Sequence, residues 1–158
     1  MMVRMDIDSH AEFAAQPDQV YAMLTDKSFL EKVCAETHAR SYDVIVDGAS
    51  VKTSRELPSP DAARPFTGET LTVIEDLSWS PADSGYTAEV TMTVPGQPVN
   101  FNGRYTLATS GAGSTLRLKG LLKVNVPLLG KKLEEAAAPA VMAAFKVQEK
   151  LGQDWLAD

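Results

Sequence analysis

The sequence is poor in the residues that support disulfide and metal chemistry. Among its 158 residues it has a single cysteine, Cys34, and only two histidines. One cysteine excludes an internal disulfide, and two histidines do not make a zinc site by themselves. We therefore predict no metal site and no cofactor.

Positive charge is also scarce, with 15 Lys and Arg against 21 Asp and Glu and a net charge of −6. No basic block is present, so nucleic acid is not an expected partner. The most apolar stretch, 121–129, is interrupted by Lys123, Asn125 and Pro127 and is too short to cross a bilayer. Residues 1–13 alternate in polarity and form no apolar signal core. The expectation is a cytoplasmic protein without an integral membrane segment.

One long amphipathic segment dominates the sequence, and it predicts a helix over about 128–156. At 1.5 Å per residue this helix would be roughly 40 Å long, enough to cross a whole sheet. Pro139 inside it predicts a bend of more than about 20°. Its apolar stripe is almost entirely alanine at the centre and comprises Leu129, Leu133, Ala136, Ala137, Ala140, Ala144, Val147, Leu151 and Trp155. Small residues there favour a cavity, although alanine is also the best helix former.

Alternation of apolar and polar residues predicts seven strands, of which the first covers residues 3–13. Two short helices follow it, one starting at Pro17 and ending near Asp26, and one capped by Ser28. Six strands then form an antiparallel meander before the long helix. The predicted fold is α+β, with a curved seven-stranded sheet gripping the C-terminal helix, and residues 1–158 form a single domain.

Turn and glycine positions refine this prediction. Asp47 and Gly48 suit a tight hairpin turn, and the three prolines of 58–65 predict a loop. Gly103 and Gly120 fall on the apolar face of their strands, where a missing side chain permits curvature or close approach of another group.

Three segments carry a resemblance to a known family. QPDQVYAMLTDKSFLE at 16–31, VNVPLLGKKL at 124–133 and the terminal Trp155-Leu156 are similar to a bacterial family of unknown function within the START-like (SRPBCC) superfamily. That superfamily has the helix-grip fold and includes birch pollen allergen relatives, lipid-transfer domains and polyketide cyclases. The resemblance covers nearly the whole chain. It implies a hydrophobic cavity between sheet and helix, and it supplies no catalytic residues.

Arg55 is the most informative polar residue. It shares strand parity with Val51, Thr53 and Leu57, so an inward face would carry a guanidinium into the cavity to hold a carboxylate or phosphate. Alternatively, Glu69 opposes Arg55 across the strand pair and neutralises it, or Arg55 simply faces outward. Glu75 raises the same question one strand on and is a candidate acid or base if burial raises its pKa.

The remaining candidate ligand-binding residues are apolar or aromatic. Inward parity places Trp79, Tyr86, Met92, Phe101 and Tyr105 opposite Leu133, Ala137, Ala140 and Ala144 of the helix. They form either the wall of a pocket, with tyrosine hydroxyls orienting a ligand, or an ordinary core.

Two further groups favour structural roles. Cys34 and His38 have the spacing of a thiolate and its base on one helix face, but a buried free cysteine usually acts as a small hydrophobe. Asp6, Asp8 and His10 share one strand face, which we interpret as solvated and not as a cation site.

The preferred hypothesis is a protein that binds a hydrophobic or amphipathic small molecule, such as a lipid, a fatty acid or a polyketide-like compound. The alternatives are an enzyme of the cyclase or dehydratase type on the same scaffold, using Glu75 and a tyrosine, and a non-catalytic homodimeric interaction module. The scaffold does not rank the first two, because one fold hosts many functions.

Overall fold

The computed structural model describes residues 5–157 and shows one antiparallel sheet with helices on its concave face. The seven strands are β1 (Met5–Phe13), β2 (Ser41–Asp47), β3 (Ser50–Pro58), β4 (Thr70–Ala82), β5 (Gly85–Thr93), β6 (Val99–Ser110) and β7 (Gly113–Val124). The α-helices are α1 (Pro17–Leu24), α2 (Lys27–Glu36), α3 (Arg64–Thr67) and α4 (Gly130–Ala157), and a 3₁₀ turn occupies Asp61–Ala63. The predicted helix-grip architecture is confirmed.

The strand order is β1-β7-β6-β5-β4-β3-β2, so β1 and β2 are the two edges. Helices α1 and α2 lie between β1 and β2 in the chain and therefore connect one edge to the other. Helix α4 covers the β1 edge. Lys146 Nζ donates to His10 O at 2.7 Å, Gln153 Nε2 donates to Glu12 O at 3.0 Å, and Glu12 N donates to Glu149 Oε2 at 2.8 Å. These bonds satisfy backbone groups that an edge strand otherwise leaves free.

The two short helices follow the predicted chemistry with one correction. Pro17 is the first residue of α1, where its missing N–H is no loss. Ser28 was the predicted cap of α2, but Asp26 has that role, and its side chain accepts from Phe29 N at 3.1 Å. Asp26 is therefore the cap and α1 ends before it, at Leu24. The predicted start of the first strand at Val3 lies outside the described residues.

The proline-rich connection between β3 and β4 is more ordered than the loop that the sequence predicts. Pro58 is the last residue of β3 and pairs with Thr70, which corrects its predicted place in the loop. Pro60 and Pro65 lie outside the sheet as expected, but residues 61–67 form the 3₁₀ turn and the single turn of α3. The Ser59 hydroxyl lies 2.7 Å from the Thr67 hydroxyl, which also donates to Ala63 O. These bonds join the start of the connection to its end.

Helix α4 begins at Gly130, two residues later than the sequence predicts. Leu128 has a φ of 71°, in the left-handed region. A right-handed helix requires a negative φ, so the helix starts only after this residue. The fully buried Glu134, just after the first turn of α4, accepts a hydrogen bond from Val124 N at 2.8 Å and so joins the helix to the end of β7. The helix then runs without interruption through Pro139 to Ala157.

Two apolar stripes run along α4, whereas the sequence suggested one. The stripe that the sequence missed is buried and contains Ala138, Phe145 and Gly152. Helix α4 packs mainly on β1 and β7. A Cβ atom added at Gly152 would lie 2.6 Å from Phe13 Cε1, so the glycine permits this close approach. The second, alanine-rich stripe faces a cavity.

A pair of glycines shapes the sheet opposite the helix. Gly103 of β6 pairs directly with Gly120 of β7, both on the inward face. The ring of Phe101 occupies the space above them, because a Cβ at either position would come within 2.8 Å of that ring. The sequence predicted that these glycines permit close approach of another group, and in the structure that group is the Phe101 ring.

Candidate functional site

A cavity of about 530 Å³ lies between the concave face of the sheet and α4. Strands β3 to β7 form its floor, α4 forms one wall, and the C-terminal part of α2 and the segment 58–67 close the remaining sides. This volume falls within the range of about 300–1,000 Å³ typical of small-molecule pockets. Most of its lining is aliphatic or aromatic, so the cavity suits an apolar occupant.

Nine of the eleven residues predicted as ligand-binding line this cavity. They are Arg55, Glu75, Met92, Phe101, Tyr105, Leu133, Ala137, Ala140 and Ala144. Strand parity therefore predicted the cavity face of the sheet for the first five residues, and helical periodicity predicted the cavity face of α4 for the other four. The binding role of each remains a prediction.

Trp79 and Tyr86 are not part of the lining, although both have inward parity. Trp79 is buried in the core, where it meets Tyr21 edge-on with ring centroids 5.7 Å apart. Tyr86 stacks on Tyr21 at 4.1 Å and its hydroxyl donates to Asp18 Oδ1 at 2.6 Å. Helix α1 covers this end of the sheet, so inward side chains there meet protein and not the cavity.

Arg55 is the unusual polar group of the cavity. It is only 9% exposed, and its Nη1 donates to Thr37 Oγ1 at 3.3 Å. Its Nε has no hydrogen-bond partner, and within residues 5–157 no carboxylate lies within 4.0 Å of it to form an ion pair. A buried guanidinium so poorly paired is costly unless an anion or water completes its surroundings.

Glu69 does not face Arg55, which corrects the expected pairing. The register places Val73 opposite Arg55 and Glu75 opposite Thr53, while Glu69 precedes β4 and is exposed. Because the β3–β4 connection contains helical turns, β4 starts later than the sequence suggested. Glu75 is therefore the diagonal neighbour of Arg55 across the strand pair.

Glu75 sits in an environment that disfavours its charge. Burial raises the pKa of the Glu75 carboxyl above its ordinary value, and the positive charge of Arg55 offsets only part of this effect. A protonated Glu75 donates a hydrogen bond, whereas an ionised one competes with any other anion for Arg55. The two residues give the cavity a polar centre with a variable charge.

Tyr105 brings a hydroxyl group to the same region. Its ring stacks on Trp79 with centroids 5.8 Å apart and lies 6.1 Å from that of Phe145. Burial, and next the negative charge of Glu75, raise the pKa of Tyr105 well above its usual range. The phenol is therefore a neutral donor or acceptor at all ordinary pH values.

The C-terminal end of α2 contributes residues for which the sequence gave little signal. Cys34, Thr37 and His38 all line the cavity. Burial raises the pKa of the Cys34 thiol to about 11, so it stays protonated and unreactive near neutral pH. His38 has a φ of 66° and follows the end of the helix, so the two residues do not share a helix face. This geometry gives no support to a thiolate and base pair.

The acidic face of β1 is occupied by an ion pair. Arg117 donates to Asp8 through Nε at 2.9 Å and through Nη2 at 2.6 Å, and this bond lowers the pKa of Asp8. Across residues 5–157 no group of three metal-binding side chains is close enough together to hold an ion. In the same range no helix is long and apolar enough to span a membrane.

Comparison with solved structures gives the same fold. TTHA0849 from Thermus thermophilus is 16% identical, with a TM-score of 0.66 over 94% of this chain and 97% of that one. Ara h 8.0201 is 14% identical, with a TM-score of 0.59 over 99% and 100% of the two chains. The di-domain ARO/CYC StfQ from the steffimycin biosynthetic pathway is 13% identical, with a TM-score of 0.67 over 99% of this chain and 53% of that one. At these identities the likeness establishes the fold alone.

The sheet, the long helix and the cavity between them give this chain the helix-grip fold. The chain belongs to the family described as "Protein of unknown function (DUF2505)", whose model matches residues 8–156. No protein of curated function matches the chain significantly.

Proposed function

We propose that this protein binds an amphipathic small molecule whose apolar part fills the cavity and whose anionic group reaches Arg55. The observation that carries the proposal is the nine-tenths buried guanidinium with a free Nε inside an apolar cavity of about 530 Å³. A carboxylate or phosphate would accept from Nε and relieve the cost of the buried charge.

The apolar walls would supply most of the affinity, and Arg55 would supply orientation. Burial of apolar surface is worth about 25 cal/mol per Å², with no directional preference. A charge-assisted hydrogen bond adds about 1.5–3 kcal/mol, which corresponds to a preference of roughly tenfold to a hundredfold for an anion over a neutral analogue. The ligand class is therefore a fatty acid or a similar chain with one acidic end.

A matched pair of probes tests this proposal. Dodecanoate and dodecanol have the same chain and differ in the terminal group, so calorimetric titration of both isolates the contribution of charge. We expect dodecanoate to bind at least about tenfold more tightly, and Arg55→Gln to remove that preference while dodecanol binding persists. Equal binding of both probes to the wild type would exclude the anchoring role.

Filling the cavity tests the container itself. Ala140→Trp places a large ring on the cavity stripe of α4 and should abolish binding of both probes in a folded protein. Met142→Trp is the matched control, since Met142 is exposed on the same helix and is not part of the lining. Unchanged affinity in folded Ala140→Trp would reject the cavity as the binding site.

A second candidate function is acid–base catalysis on the bound molecule. The observation that favours it is the pairing of Glu75, whose pKa is raised by burial, with the neutral Tyr105 hydroxyl in the same cavity. Such a pair suits proton transfer next to a carbonyl group. The test is deuterium incorporation beside the carbonyl of methyl undecyl ketone in heavy water, expected with the wild type and lost in Glu75→Gln. No incorporation above the uncatalysed rate would argue against catalysis of this type.

A further inference from the structure

Three connecting segments meet at one end of the molecule and form a rim beside the cavity. We define this rim as residues 59–69, 94–98 and 125–132. Gln97 Nε2 donates to Phe66 O at 3.0 Å, and Asn125 N donates to Pro98 O at 2.9 Å, so the three segments are joined to one another. Phe66 and Val126 of the rim also line the cavity.

The rim exposes apolar side chains without covering them. Leu128 is fully exposed, and Phe66 and Leu129 are 42% and 39% exposed. The left-handed backbone at Leu128 is strained for a leucine, and glycine is the residue that usually occupies such a position. Neither burial nor backbone geometry therefore explains a leucine here.

Two lysines beside these leucines are placed against the local electrostatics. Lys131 and Lys132 occupy the first turn of α4, where the positive end of the helix dipole disfavours cations. That turn contains no acidic residue, and within residues 5–157 neither lysine forms an ion pair. The nearest acid along the exposed surface of the helix is Glu135, one turn later. The segment 126–132 thus carries two positive charges in a chain whose net charge is −6.

We propose that the rim docks on a lipid surface that contains anionic headgroups. Exposed leucine and phenylalanine side chains suit the boundary between headgroups and acyl chains, and adjacent lysines suit the phosphates above it. Two copies meeting at the rim would bring their lysines together, which disfavours a second copy as the partner. In segment 59–69, Asp61 pairs with Arg64 and Glu69 is exposed, so the excess positive charge of the rim lies in 126–132. An anionic bilayer matches both the apolar and the charged side chains of that segment.

Docking at the rim would place the cavity next to the bilayer. Phe66 has both an exposed surface at the rim and a place in the cavity lining, so an amphipathic molecule would pass between bilayer and cavity beside it. The docking proposal stands without the proposed ligand, because the exposed leucines and lysines are independent of Arg55.

Vesicle co-flotation tests the proposal directly. The probes are vesicles of equal parts phosphatidylglycerol and phosphatidylcholine, and vesicles of phosphatidylcholine alone. We expect the wild-type protein to float with the anionic vesicles, and to do so less at high salt. Leu128→Glu should weaken binding at least about tenfold, because it removes the inserted side chain and adds repulsion. The double substitution Lys131→Glu with Lys132→Glu should weaken vesicle binding by more than about tenfold, because each lysine lost is expected to cost about fivefold.

Matched controls separate docking from general effects of charge and hydrophobicity. Ile45→Glu changes another exposed aliphatic residue, 54% exposed on edge strand β2. Lys119→Glu with Lys150→Glu makes the same change in net charge away from the rim. Both controls should retain binding.

Absence of wild-type binding to anionic vesicles, or equal loss in the controls, would overturn the proposal. Self-association seen by light scattering and abolished by Leu128→Glu would also overturn it, by assigning the patch to a second copy. Failure of vesicle binding with intact dodecanoate binding would reject docking alone and leave the proposed ligand site in place.

Discussion

The two apolar stripes of α4 meet different surroundings. Ala138, Phe145 and Gly152 are buried, and Gly152 allows direct contact with Phe13 of β1, although Phe145 also borders the cavity. Ala137, Ala140 and Ala144 face the cavity. Both stripes consist of small and apolar residues, so composition does not distinguish them. The difference arises because α4 packs on β1 and β7, whereas β3 to β5 are separated from it by the cavity. The strand that a stripe meets, and not the composition of the stripe, therefore decides where the core is filled.

The largest expected effect comes from removing a side chain on the packed side. Phe13→Ala should lower the free energy of unfolding by about 3–5 kcal/mol, because it leaves a cavity against Gly152 and Met23. Met92→Ala, on the hollow side, should cost no more than about 1 kcal/mol, since Met92 already borders empty space. Urea unfolding of both variants measures the contrast. Similar losses in both would mean that the cavity is collapsed in solution.

Adding volume should give the next largest contrast. Gly152→Leu forces a side chain into the ring of Phe13 and the thioether of Met23 and should destabilise the protein by about 2–3 kcal/mol. Ala144→Leu should change stability by less than about 1 kcal/mol, because the leucine enters the cavity. The same variant should weaken dodecanoate binding, whereas Gly152→Leu should bind normally wherever it remains folded. Equal destabilisation by both substitutions would contradict the distinction between the stripes.

The ionisation of Glu75, which lines the cavity, predicts that stability depends on pH. The pKa of Glu75 is higher in the folded than in the unfolded state, so the unfolded chain ionises first as pH rises above the ordinary value of 4.5. Wild-type protein should therefore lose stability relative to Glu75→Gln as pH rises through this window. Below it, the two proteins should differ little. Parallel stability curves over the whole range would show that Glu75 is ionised at no cost, through an interaction with Arg55 or with water.

The smallest expected effect tests whether the rim is built for stability. Leu128→Gly should raise the free energy of unfolding by about 0.5–1 kcal/mol, because glycine adopts the left-handed conformation without strain. The same substitution should weaken binding to anionic vesicles. Thermal unfolding and co-flotation on one preparation measure both effects. A loss of stability would indicate that Leu128 packs against the protein in solution, which would remove the basis of the docking proposal.

Most of the fold was predictable because strands and helices have different periods. Alternation located all seven strands, and Asp47-Gly48 gave the first hairpin turn, in which Gly48 has the expected positive φ of 60°. The pairing of Arg55 with Glu69 was predicted wrongly, because it required the register between β3 and β4. That register depends on helical turns within a proline-rich segment whose sequence has no clear periodicity.

The sequence predicted which face of the sheet carries the candidate site, but not how far the cavity extends along that face. Trp79 and Tyr105 have the same inward parity, yet only Tyr105 reaches the cavity, because α1 covers the sheet at Trp79. Parity states which side of a sheet a residue occupies, whereas the empty volume depends on the elements packed above it. The contributions of Thr37 and Cys34 were hidden for a related reason: their role follows from where the end of α2 lies in three dimensions.

The two tryptophans lie in different parts of the molecule, so the fluorescence of each one reports on its own surroundings. Trp79 is buried, has no hydrogen-bond partner for its indole N–H and stacks on Tyr105 of the cavity lining. Trp155 is partly exposed and meets Phe29 on the packed side. Trp79 should therefore emit at short wavelength, and its quantum yield should respond when a molecule displaces or fixes the Tyr105 ring. In a Trp155→Phe protein, a change in Trp79 fluorescence would therefore report binding in the cavity without any added label.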